Sequence, residues 1–319
     1  MSSLLRAELL RLVSRRLLIV LLVCMAGLAA FGSAVYADDA RPLTDQDRQD
    51  AQQSLVSDRQ YWQEECATGA AASQEVCEGW EAPTNLEDYM RTPIGFGLYT
   101  EGVVEFGLPI MLLAVAVMAA SLVGAEFSSG NVGTQLLFTP RRVPLFISKV
   151  VAAAVGGLLV AVAHLGTALG FSAIMFLSLR GADDMTAGIE LPMALGRALV
   201  LAILIAVMAG ALAMAVGSTL ITTGIFAVTL IGSVMVSDAI SRSSLLQVLL
   251  PSNILFAMFD GRNEIFDYEP QNYEPQNYEA EPLLAHVINY DWALGYSVAG
   301  TALILVVSAW WFHRRDILR

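Results

Sequence analysis

The sequence predicts an all-α polytopic membrane protein with six transmembrane helices, and three observations carry that reading. The mean hydropathy is +0.59, with 56% hydrophobic and only 15% charged residues, against about 25% charged in soluble chains. Six apolar runs of spanning length lie at about residues 17–36, 103–124, 150–178, 193–216, 219–237 and 292–312. Ten of the eighteen basic residues flank these runs in three clusters: Arg6, Arg11, Arg15 and Arg16; Arg141, Arg142 and Lys149; Arg314, Arg315 and Arg319.

Short basic flanks mark the cytoplasmic side of a membrane. The three clusters therefore put both termini inside, and an inside start with an inside end requires an even number of crossings. On this topology the inside carries ten basic and three acidic residues, the outside eight basic and twenty-seven acidic. The net charge of −12 thus describes an acidic exterior rather than an acidic soluble protein. No basic face interleaved with aromatics occurs, which argues against a nucleic-acid partner.

Residues 2–16 predict a short interfacial helix, with Leu5, Leu9 and Leu12 on one face and Arg11 and Arg15 roughly opposite. The run that follows is long for a signal-peptide core, although an Ala-x-Ala-like stretch lies near residues 33–37. Cys24 within it is expected to be a buried, small apolar residue. Inside each span the backbone must be helical, because lipid cannot satisfy a strand edge. Gly156, Gly157, Gly166, Gly170, Gly210 and Gly217 suggest close helix contacts. Trp292, Trp310 and Trp311 mark the two interfaces of the last span.

Residues 38–98 predict an outside subdomain rich in Asp, Glu and Gln. Cys66 and Cys77 lie in it, where an oxidising compartment favours a disulfide worth roughly 2–4 kcal/mol over two free thiols. Tyr61, Trp62 and Trp80 either pack together or meet an outside partner. In the outside region 238–291, the apolar stretch Leu245–Phe259 is interrupted by Pro251 and is too short to span. A re-entrant pair of half-helices fits it. A tandem repeat follows, Tyr268-Glu-Pro-Gln-Asn272 and Tyr273-Glu-Pro-Gln-Asn277, read as a duplication in a tolerant loop rather than a recognition element.

The inside loop between the second and third spans is short and mixed in polarity. Ser128 or Ser129 is placed to cap a helix whose apolar side includes Val132, Leu136 and Leu137, with Pro140 ending it before Arg141 and Arg142. The pattern Glu126, Gly133, Thr134, Leu136, Leu137, Pro140, Arg142 and Lys149 resembles the first cytoplasmic loop of ABC-2 type permeases, the membrane subunits of bacterial ATP-binding-cassette exporters. The wider layout, a leading helix, six spans and a broken outside segment before the last, resembles them too. The resemblance implies a coupling helix that docks on a separate ATPase subunit. Glu126 and Arg142 would orient it, Leu136 and Leu137 would anchor it, and Phe127 and Arg141 would border it. It further implies two ATPase subunits carrying ATP and Mg, a second permease copy or homologue, and a bacterial plasma membrane.

The chain has no P-loop: Lys149 is its only lysine and no Gly-x4-Gly-Lys precedes it. ATP hydrolysis is therefore expected of a partner, and this chain is not expected to be an enzyme. His164, His286 and His313 are scattered, and no His-Glu-x-x-His or Cys-x-x-Cys spacing suggests a metal. His164, mid-span, reads either as functional or as hydrogen-bonded to a neighbouring helix. Glu101 and Glu105 at the outside mouth of the second span, with Arg197 opposite, read as a gate or as a tie between helices. So few intramembrane charges suit an amphiphilic or lipid-like substrate better than a metal ion. The alternatives are an ATPase-independent transporter, which predicts more intramembrane charge and internal repeats, and a scaffold or sensor acting through residues 38–98.

Overall fold

The computed structural model describes residues 2–68, 85–138, 141–182, 184–239, 244–267 and 283–314. Six long apolar helices account for the predicted spans: α2 (Arg16–Val35), α5 (Phe96–Ser128), α7 (Arg142–Arg180), α8 (Glu190–Val216), α9 (Thr219–Ala239) and α12 (Tyr290–Arg314). Two overrun the bilayer. At 33 and 39 residues, α5 and α7 are about 50 and 58 Å long at 1.5 Å per residue, against about 30 Å of hydrocarbon.

These two helices and α8 form the centre, with 67%, 61% and 50% of their apolar windows buried. By contrast α2, α9 and α12 bury 28%, 22% and 17% and form the rim. Small residues set the central contact. A Cβ added at Gly157 of α7 would lie 2.5 Å from the Ala206 Cβ, and one added at Gly210 of α8 would lie 2.7 Å from that of Ala153. Ala153 and Gly157 thus face Ala206 and Gly210, a small-residue seam that draws the two backbones together. Gly166 and Gly170 have nothing within 4 Å of an added Cβ, so they do not join this contact. Cys24 is likewise not buried: it is exposed on the outer side of α2, where lipid can cover an apolar surface as well as protein does.

One end of the bundle carries α1 (Ser2–Val13), α6 (Asn131–Phe138) and the last turn of α12. Contacts fix this. Leu12 of α1 lies against Gly156 of α7, and Arg142 donates to the Phe312 and His313 carbonyls of α12 at 3.3 and 2.7 Å. Both described termini are therefore at one end. The other end carries α3 (Ala37–Ala40), α4 (Asp45–Thr68), a 3-10 turn at Leu86–Tyr89, α10 (Ser244–Val248), α11 (Pro251–Asp260) and a β-hairpin.

The α3–α4 segment at this end is held mainly by charge. Arg41 grips Asp47 with two hydrogen bonds of 2.7 Å. Arg91 donates to Asp47 and to the Arg41 and Pro42 carbonyls, and the Tyr89 hydroxyl bonds Asp58. On α4 only Ala51 and Leu55, one turn apart, are buried. The Tyr61 and Trp62 rings meet edge-on at 5.8 Å. Trp80 and Cys77 lie outside the described residues, and with them the expected aromatic cluster and disulfide.

Between α9 and α12 the helix break at Pro251 falls as expected, with proline at the start of α11. To the predicted helical architecture this region adds a two-stranded hairpin, which the sequence reading did not include. Strands β1 (Arg262–Asp267) and β2 (Leu283–Asn289) pair antiparallel, with a bulge between Ile265 and Phe266. Ile265 and Ile288 fill the inner face at 3% and 2% exposure. Only Ile265 in β1 and Val287 with Ile288 in β2 are β-branched, too few to mark strands in the sequence, and the polar repeat between them lies outside the described residues.

Candidate functional site

The chain between α5 and α7 is a helix, but its ends are built differently from expectation. α5 continues to Ser128, so the Ser128 and Ser129 hydroxyls donate back to the Ala125 and Glu126 carbonyls instead of capping the next helix. Gly130, at φ 73°, supplies the left-handed turn. The Thr134 amide then donates to the Gly130 carbonyl at 3.3 Å and opens α6. Pro140 and Thr139 lie outside the described residues.

α6 is two-faced, and the division falls between adjacent leucines. Val132 and Leu136, one turn apart, are 1% and 8% exposed and pack with Leu145, Phe146 and Phe312. Leu137 and Phe138 are 71% and 83% exposed. The pairing of Leu136 with Leu137 as joint anchors is therefore revised: 100° of helical rotation separates neighbours, so Leu136 anchors α6 to its own chain. Phe127 also turns inward, its ring meeting that of Phe312 at 6.4 Å. Arg141 is exposed and Gly133 is half-buried on α6.

Beneath α6 sits a charge cluster that joins three helices. Lys149 of α7 is fully buried; its ammonium bonds Glu126 of α5 and lies 3.2 Å from Glu8 of α1. Glu8 and Glu126 are 1% and 4% exposed. Arg11 approaches Glu8 at 3.1 Å and Glu126 at 3.7 Å, and Arg15 approaches Glu126 at 3.8 Å. Arg15 also donates to the Ser121 and Leu122 carbonyls of α5 at 2.8 and 3.1 Å. From α6, the Gln135 amide reaches Glu126 at 3.4 Å. Three cations thus compensate two buried carboxylates, which a low-dielectric site demands. Glu126 and Arg142, expected to act together, part company here: Arg142 caps α12 instead.

Glu8 and Phe138 escaped the sequence reading. The signal for Glu8 was present: it lies three residues after Leu5 and four before Leu12, an acid inside the apolar stripe of α1. The signal for Lys149 was its being the one lysine of the chain.

His164 lies in α7 at 0% exposure, its Nδ1 3.4 Å from the Met25 carbonyl of α2. Gly107 of α5 makes room for the ring: an added Cβ would stand 2.4 Å from it. Its Nε2 has no hydrogen-bond partner among the described residues. Pro109, two residues on, interrupts the α5 backbone ladder beside this contact.

At the other end Arg197 of α8 does not pair with Glu101 or Glu105 within 4 Å. It donates to the Phe259 carbonyl at the end of α11 at 3.4 Å and lies 5.3 Å over the Tyr290 ring. Gly261, at φ 89°, lies so close that an added Cβ would be 2.7 Å from the guanidinium. Arg197 thus ties α8 to α11 and α12, while Glu101 and Glu105 act at longer range. Among the described residues no cluster of three His, Cys, Asp or Glu could hold a metal.

Compared with family models, with curated proteins and with solved structures, the chain has no match.

Proposed function

We propose that this chain is the membrane-spanning permease subunit of an ATP-driven exporter of the ABC-2 type. It sits in the bacterial plasma membrane with both termini in the cytoplasm. Two copies, or one copy and a homologue, bind two separate ATPase subunits that carry ATP and Mg. The substrate is amphiphilic or lipid-like, and α10 and α11 dip into the membrane from outside as half-helices.

The observation that supports this best is the two-faced construction of α6. A loop that only turned the chain would not set Leu137 and Phe138 side by side at 71% and 83% exposure. An apolar pair held open beyond the membrane marks a surface that a partner covers. The inner face fits the second role. Val132 and Leu136 fix α6 to the ends of α7 and α12, and Glu126 and Lys149 fix its base to α1 and α5. A short helix so anchored passes a rigid-body displacement into several spans at once. Leu137 and Phe138 serve as the partner-facing anchors, and Leu136 serves as the internal one.

The test is a search of the neighbouring genes for an ABC-type ATPase, followed by co-purification of this chain with the one found. The chain is expected to retain that ATPase on an affinity column and to stimulate or restrain its hydrolysis, whereas Leu137→Asp with Phe138→Asp loses both. An unaltered complex with the double variant would refute the docking surface.

A further inference from the structure

A groove of about 890 Å³ runs between α8 and α12. Leu212 and Val216 line one wall, Leu303 and Val307 the other, and Trp310 with Arg314 stands at its end. Leu303, Val307 and Trp310 are 64%, 51% and 50% exposed. The Arg314 guanidinium lies 4.5 Å over the Trp310 ring, which fixes the cation at the groove mouth. Arg142 already satisfies the Phe312 and His313 carbonyls, so the negative end of α12 opposes an anion there less strongly. From Leu303 to Arg314 the wall rises about 16 Å, which is close to one leaflet of a bilayer with about 30 Å of hydrocarbon.

An aliphatic trough one leaflet deep, closed by two indoles and a cation, matches one class of molecule. We propose that the groove holds an anionic phospholipid, with one acyl chain along α8 and α12 and its phosphate on Arg314. Charge complementarity selects this occupant. A zwitterionic lipid brings its own ammonium beside the phosphate. Of the acids described at this end, Glu8 and Glu126 are buried within their own cluster, so a second copy offers neither of them to Arg314. The site lies on a different face from Leu137 and Phe138 and stands whether or not an ATPase docks there.

The test uses the full-length chain in nanodiscs and the emission of Trp310 and Trp311, isolated as the difference from a Trp310→Phe, Trp311→Phe variant. Chain-brominated phosphatidylglycerol in a phosphatidylcholine background is expected to quench that emission severalfold more per mole than chain-brominated phosphatidylcholine in the converse mixture. Arg314→Ala is expected to abolish the difference and Arg314→Lys to keep most of it. Val307→Trp, which fills the trough, is expected to remove it while leaving the thermal transition in place. Equal quenching by the two lipids overturns the proposal. So does quenching by neither, with the chain dimeric, because a second copy then covers the groove.

Discussion

The Lys149 ammonium lies 3.2 Å from a Glu8 carboxylate although 141 residues separate them, and both side chains are buried. That contact, with the Glu126 bond on the same nitrogen, pins α1 to the junction of α5, α6 and α7. Burying such charges is costly, so the cluster adds little net stability over an apolar equivalent, but breaking it is severe.

Lys149→Met leaves two buried carboxylates with only the half-exposed Arg11 and the more distant Arg15 for company. The expected loss is about 3–5 kcal/mol, read as a lowered thermal transition in detergent. Combining it with Glu8→Gln and Glu126→Gln should recover much of that loss, because the three fully buried charges are then all removed while Arg11 and Arg15 keep access to solvent. A single Lys149→Met protein with an unchanged transition would remove the cluster from any structural role.

Leu136→Asp and Leu137→Asp should differ in kind. A carboxylate at 136 enters the packed site beside Phe146 and Phe312, which is expected to destabilise the fold by several kcal/mol. At 137 it faces outward, and stability should change by less than about 0.5 kcal/mol. Thermal melts of the two purified variants check this without reference to any partner.

The seam between α7 and α8 makes a steric prediction. Gly157→Leu and Gly210→Leu force apart backbones whose added Cβ atoms already stand 2.5 and 2.7 Å from alanine. Folded yield after gentle extraction should collapse. Gly166→Leu, with open space around it, should leave that yield unchanged.

The α3–α4 segment should loosen in acid. The Asp47 carboxyl is held below the usual carboxylate range, first by Arg41 and then by the Thr44 amide and hydroxyl. A depressed folded-state value means the contribution is fully present above the ordinary carboxylate value of about 3.9. It is then lost as the pH falls below that point. Hydrogen exchange at the start of α4, corrected for intrinsic rates, should accelerate across that interval, and Asp47→Asn should exchange fast at neutral pH as well.

The sequence by itself determined the six helices and their order, because an apolar run of about 20 residues admits one backbone solution in lipid. It also located α6 and the break at Pro251, since proline and glycine act on the chain locally. Only the tertiary structure decided which neighbour of the Leu136–Leu137 pair faces inward and that Glu8 answers Lys149. It alone paired β1 with β2 across an intervening polar repeat, and it turned Arg197 toward α11 rather than toward Glu101. Each of these is a long-range choice of partner. Such choices depend on where helices cross and which atoms remain open after packing, and local periodicity carries no record of either.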